Sequence, residues 1–295
     1  MKKFALTLLV ACTVFTVSNA QDLKSKEGVP VLPEAGDYAI GIDATPFLNY
    51  FGGFLSNGGA VAPTWNFTDA AQTIKGKYYV DAETAYRGEI RLGFGSNSQK
   101  NMSVDRTLTT APVYPALPTM KENKWKQGNT NIGLAVGLEK HRGKGRLSGY
   151  YGAGLGIYFN STKDKFTYGN ALVPTGTVTV GVDATDDAFA GSGNITTDAY
   201  GNAARITERK NGTDIELNLG AFVGAEYFFL PKISVGGEFG WGLGFVKNGK
   251  TSTTTESIGG AGPTVGTITI EGDKAGAFGF DTGNFGGKVY MMLHF

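Results

Sequence analysis

Eight stretches of this 295-residue chain alternate apolar with polar or glycine residues at a period of two, and the connections between them alternate long and short. A period of two is that of a β-strand with one face apolar. The stretches are Asp37–Thr45, Thr73–Val80, Thr84–Gly95, Asn129–Lys140, Leu147–Phe159, Asp214–Phe229, Ile233–Phe245 and Gly279–Phe295. The short links are Asp81–Glu83, His141–Arg146 and Leu230–Lys232. Residues 49–71, 96–127, 160–212 and about 247–277 are long and rich in Gly, Thr, Asn and Pro. A soluble sandwich has no reason to place every long loop at one end. A transmembrane up-and-down antiparallel β-barrel does, with short periplasmic turns and long extracellular loops. The expected fold is therefore all-β, an eight-stranded barrel. Ten strands remain an alternative if hairpins around Thr177–Val182 and Thr267–Glu271 cross the lipid. Both lack an apolar face of roughly nine to eleven residues, the length that crossing requires.

The apolar faces are sorted along the strands. Their middles are aliphatic (Ile42, Ile90, Leu134, Leu155, Leu219, Val235, Met291), and aromatics gather at the ends. Tyr78, Tyr86, Tyr227 and Phe295 stand on the turn side; Phe94, Phe159, Trp241 and Phe245 stand on the loop side. These are candidate interfacial girdles. The last strand places Val289, Met291, Leu293 and Phe295 on one face and ends on an aromatic, a candidate assembly signal. Taken alone it would also suit the edge strand of a sandwich.

Met1-Lys2-Lys3 leads into an apolar run from Phe4 to Val17 and then Ser18-Asn19-Ala20, the pattern of a secretory signal peptide spanning residues 1–20. A lipobox-like reading at Cys12 would cut the apolar run short. Residues 21–36, with Pro30 and Pro33, read as a flexible periplasmic leader, and residues 37–295 as the barrel. Cleavage after Ala20 removes the one cysteine, so neither disulfides nor cysteine metal sites are available. It also removes two of the cations behind a formal charge of +1, leaving a near-neutral chain with no hint of nucleic-acid binding. The 45 glycines exceed the roughly twenty of average usage, and many sit at alternate strand positions, where strands approach closely or pack into a narrow interior.

The opposite faces carry Asp43, Glu89, Glu139, Glu216, Glu226 and Glu238 beside Lys75, Lys77, Arg87, Arg91 and Lys288. Charges inside a narrow low-dielectric tube must pair, and eight strands leave room only for side chains. An ion-pair network around Arg87, Glu89 and Arg91 is expected to fill the interior; a narrow channel for small solutes or ions is the rival reading. Both histidines, His141 and His294, fall at the turn end, as a solvated turn residue or an interior polar contact. No Ser/His/acid site can be assembled at the outer rim, so no enzyme and no cofactor is expected. Asp183–Asp187 and Asp198 could offer oxygen ligands to calcium, without a recognised loop spacing.

Four phrases carry a family resemblance: Asp43–Phe54 (DATPFLNYFGGF), Gly76–Val80 (GKYYV), Ala85–Ser96 (AYRGEIRLGFGS) and Gly287–Phe295 (GKVYMMLHF). They resemble the Bacteroidetes-type outer-membrane β-barrel family, similar in architecture to the OmpA, OmpX and OmpW barrels. The resemblance spans the mature chain, in pattern more than in any catalytic motif. It implies a Gram-negative outer-membrane location, contact with outer-membrane lipid and lipopolysaccharide, and insertion by the barrel-assembly machinery. It implies no single activity. Long polar loops on a rigid scaffold are where binding usually lives, so a structural and surface-interaction role is expected, with an external protein or glycan as ligand.

Overall fold

The computed structural model describes residues 23–26, 28–43, 74–106, 113–174, 188–260, 264–281 and 288–295. Among them the fold is one antiparallel sheet of twelve strands: β1 (Tyr38–Asp43), β2 (Ile74–Asp81), β3 (Thr84–Val104), β4 (Met120–Lys144), β5 (Leu147–Thr167), β6 (Ile195–Thr197), β7 (Ala203–Leu230), β8 (Ile233–Lys247), β9 (Thr251–Gly259), β10 (Thr264–Glu271), β11 (Gly276–Asp281) and β12 (Lys288–His294). Eight of them close a hydrogen-bonded ring in the order β1-β2-β3-β4-β5-β7-β8-β12, and β12 returns to β1 through Ala39↔His294 to Asp43↔Tyr290. Closure leaves these strands no free edge at that level.

The final stretch, expected as one strand, is described in two pieces. β12 pairs with the lower half of β8, and β11 pairs with its upper half. The remaining strands lie off the ring: β9 pairs with the start of β7, β10 with β9 alone, and β6 with β7. The Thr267–Glu271 segment thus belongs to a hairpin outside the ring; Thr177–Val182 falls outside the described residues.

The strands also outrun their expected ends. β3 and β4 stay in register from Thr84↔Lys140 to Val104↔Met120, well past the limits at Gly95 and Asn129. β5 continues to Thr167, and β7 begins at Ala203. The extensions are rich in Asn, Ser, Thr and Lys. With neither face continuously apolar, they lack the hydropathic alternation that marks a half-buried strand. At the other end the connections are tight. β4 runs through His141 to Lys144, so the β4–β5 turn is only Gly145-Arg146, and His141 is a buried strand residue.

The side chains divide by face. On β2, Lys75, Lys77 and Tyr79 are buried, while Ile74, Tyr78 and Val80 are exposed. The same parity on the other strands turns Leu92, Val136, Leu155, Leu219, Phe239 and Leu293 outward. Inside, large side chains sit over glycines. A Cβ built on Gly133 would lie 2.5 Å from the Tyr158 ring, and one on Gly236 would lie 2.5 Å from Tyr290. The excess glycine thus has a packing cause: the ring is narrow, and knobs from one strand need holes on another.

Candidate functional site: the interior charge cluster and its two ends

Five strands bring charged side chains to one level of the interior. β2 contributes Lys75 and Lys77, and β3 contributes Arg87 and Glu89. Glu139 comes from β4, Glu226 from β7 and Glu238 from β8. Lys77 Nζ bridges Glu139 (2.9 Å) and Glu226 (3.4 Å), whose side chains are completely buried. Lys75 Nζ lies 3.3 Å from Glu238 and 3.7 Å from Glu89. Arg87 reaches Glu139 (3.1 Å) and Glu238 (2.9 Å) and also pairs with Glu89. Every acid in this set therefore meets a cation, which is the condition for keeping charge out of water.

Aromatic rings frame the cluster. Lys75 sits 4.6 Å from the centroid of Tyr290, Lys77 sits 4.8 Å from that of Tyr150, and the Arg87 guanidinium lies 4.1 Å over Phe222. Tyr290 donates its hydroxyl to Tyr150 (2.7 Å), and Tyr150 donates to Glu238 (3.2 Å). The space left among Lys75, Lys77, Arg87, Glu139, Glu238 and Tyr290 is about 10 Å³. That is at the threshold for a single water molecule.

On the turn side two histidines close the network. His141 Nε2 lies 3.0 Å from Glu139, and His294 Nε2 lies 3.7 Å from Glu226. Ser234 donates to Glu226 (2.7 Å), so its oxygen is left to accept from His294 Nε2 at 3.0 Å. Serine, histidine and glutamate thus meet, but not as a nucleophilic relay. The acid and the serine share one ring nitrogen, Nδ1 has no partner, and all three side chains are buried. A relay needs the acid on the other nitrogen and an accessible hydroxyl. Below them residues 23–26 and 28–36 fold across the turns. Val31 is fully buried and accepts from Lys232 N (3.3 Å), Gly36 N donates to Tyr79 O (2.7 Å), and Lys232 pairs with Asp37.

The loop-side end is closed differently. Trp125 and Phe166 stack at 5.6 Å, Phe189 packs edge-on to Trp125, and Ile206 completes the cluster. Trp125 Nε1 donates to Asp164 (3.2 Å). Asn194, from the segment that covers the cluster, accepts from Phe189 N (2.9 Å) and donates to the Tyr168 hydroxyl (3.0 Å). The Asp198 carboxylate takes hydrogen bonds from the Asn202 side chain, Ser257 and the amides of Asn202 and Tyr200. These donors hold its carboxyl well below the usual carboxylate range.

Of the eleven residues expected in an interior network, Lys75, Lys77, Arg87, Glu89, Glu139, Glu226 and Glu238 meet in this one cluster. Arg91 is buried one inward step further along β3. Glu216 is half-buried, away from the cations, and accepts from Asn218 (2.8 Å). Asp43 and Lys288 lie in β1 and β12, and their side chains fall outside the described residues, as do Asp183–Asp187. On the outer face Tyr78, Tyr86, Phe94, Tyr227, Trp241 and Phe245 are exposed, and Phe159 is half-buried. Met291, Leu293 and Phe295 are exposed, and Val289 is half-buried. Tyr150, Phe222, Ser234 and Tyr290 went unremarked in the sequence, although each shares the inward parity of a neighbouring charge. Comparison with known proteins finds no matching family model, no similar curated protein and no similar solved structure.

Proposed function

We propose that the ring is a membrane-spanning up-and-down β-barrel of the outer membrane, closed to diffusion, with a structural and surface-interaction role. The observation that carries this reading is its inverted polarity. The interior of the ring holds paired Lys, Arg and Glu, while its outer face exposes aliphatic side chains on strand after strand: Ile90, Leu134, Val136, Leu155, Leu219 and Leu293. Monomeric soluble proteins seldom leave so continuous an apolar belt in water, whereas a lipid-facing surface requires one. The exposed tyrosines and tryptophan at the belt's two ends suit the interfaces. Signal-directed export, insertion by the barrel-assembly machinery and contact with lipid and lipopolysaccharide follow from that location, and the likeness to the Bacteroidetes-type barrels agrees with it.

The extended β3–β4 hairpin and the β9–β10 hairpin rise beyond the ring and offer a polar surface to an external protein or glycan. No catalytic role is proposed, because the Ser234–His294–Glu226 contact is sealed from substrate. Planar-bilayer recording tests the closed interior: purified protein should give no stable large openings, and sustained conductance would replace this reading with the channel one. Heat-modifiable migration together with co-fractionation with outer membranes tests the location.

A further inference from the structure

The glycines of the ring fall into two kinds. Those turned inward are matched by a knob of this chain, as Gly133 is by Tyr158 and Gly236 by Tyr290. Gly76 and Gly88 are different. They face each other across β2 and β3, on the outward parity of Tyr78 and Tyr86. A Cβ at either would meet only a backbone oxygen, at 3.8 and 3.9 Å. Neither has a positive φ, so neither packing nor backbone conformation calls for glycine there. Their effect is to leave a groove of about 440 Å³ on the outer face, walled by Tyr38, Ile40, Tyr78, Tyr86 and Phe295. Lys77 and Arg87 also border it, but their charged ends are committed to Glu139, Glu226 and Glu238 in the interior. The Tyr38 and Tyr78 rings, 4.9 Å apart, form one rim.

We infer that this groove seats one acyl chain of a phospholipid from the leaflet on the turn side, an assignment that rests on the membrane-barrel reading. Its walls are carbon, so they offer a headgroup no charge to bind. Its volume is comparable to that of a single long hydrocarbon chain, and its floor is two residues flattened to backbone. An unfilled hollow on a surface that must be solvated by hydrocarbon forfeits dispersion contacts along its whole lining. The groove is continuous with the apolar belt through Ile74 and Ile90, the next outward residues, which pair with each other across the same two strands. Tyrosines at the rim place amphipathic rings where a chain leaves the interface for the bilayer.

The test uses the full chain in liposomes of phosphatidylethanolamine and phosphatidylglycerol that carry a trace of phospholipid with a photoactivatable group in its acyl chain. Cross-linked peptides are then mapped by mass spectrometry. Labelling within residues 38–40 and 76–88 should exceed, severalfold, that of the equally exposed belt around Leu134, Val136 and Leu219. Gly76→Leu and Gly88→Leu should each reduce it to the belt level and leave belt labelling and heat-modifiable migration unchanged. If a leucine variant misassembles, Tyr78→Ala, which removes a wall, should show the same loss. Uniform labelling in the wild type would overturn the inference and leave the membrane reading intact. So would cross-links joining the grooves of two copies. Absence of labelling anywhere on the belt would overturn both.

Discussion

The two ends of the interior solve the same problem with opposite chemistry. Toward the turns, Lys75, Lys77 and Arg87 neutralise four glutamates in a dry layer, each charge meeting at least one of opposite sign. Toward the loops, the closing layer is aromatic: Trp125, Phe166, Phe189 and Ile206, tied down by the neutral amides of Asn123, Asn170 and Asn194. The first is unforgiving. A buried charge that loses its partner retains its whole desolvation cost. The second is tolerant, since a lost amide bond can be replaced by water near the open end. The comparison teaches that the ring itself should depend on the ionic layer, and the outer segment that covers Trp125 on the aromatic one.

The largest effect is expected from Lys77→Met, which strands Glu139 and Glu226 together. It should cost about 3–5 kcal/mol, read as a lower temperature for loss of the compact band on a gel. Restoring charge balance with Glu226→Gln in the same chain should recover part of it; no recovery would show that Lys77 acts through packing on Tyr150 instead. Trp125→Ala should cost about 3 kcal/mol but at a different place. Residues 188–197 should become protease-sensitive while the ring melts as before, and a matched fall in ring stability would erase the distinction between the two ends. Tyr150→Phe leaves the ions paired but removes the hydroxyl between Tyr290 and Glu238. A loss of about 1 kcal/mol is expected, by the same gel assay. The smallest effect is the pH response of the outer end. The hydrogen bonds on Asp198 depress its carboxyl pKa, so their contribution is complete above the unfolded carboxyl range near pH 4 and fades as pH falls toward the depressed value. Hydrogen exchange at Tyr200 and Asn202, corrected for intrinsic rate, should accelerate over that descent in the wild type and not in Asp198→Asn.

These two ends were not equally legible in the sequence. The ionic layer announces itself because its strands alternate aliphatic residues with Lys, Arg or Glu, so Ile74, Tyr78 and Val80 leave Lys75 and Lys77 nowhere to point but in. What alternation cannot supply is the pairing. Lys77 and Glu226 lie 149 residues apart on strands that are not neighbours, and only the stagger of the closed ring sets them at one height. His141 was hidden in the run His141–Arg146, whose charges read as a turn although β4 continues to Lys144. The aromatic layer was missed for another reason: Trp125 and Phe166 lie on strand extensions whose neighbours are polar on both faces, so nothing there repeats with hydropathy. Asp198 was weighed as a metal ligand, and the donors that occupy it come from Tyr200, Asn202 and Ser257, the last from β9.

The pairing of β12 with β1 has a consequence for the order of assembly. Tyr290 and His294 arrive on the last strand, and until it docks, Glu226 has no histidine and the Tyr150–Tyr290 contact does not exist. Zipping the seam and sealing the tube are therefore one event. A chain halted one strand short holds a half-solvated acid layer facing an open side, in equilibrium with its release. The final strand acts as a latch whose closing is driven from within as well as along its hydrogen-bonded edge.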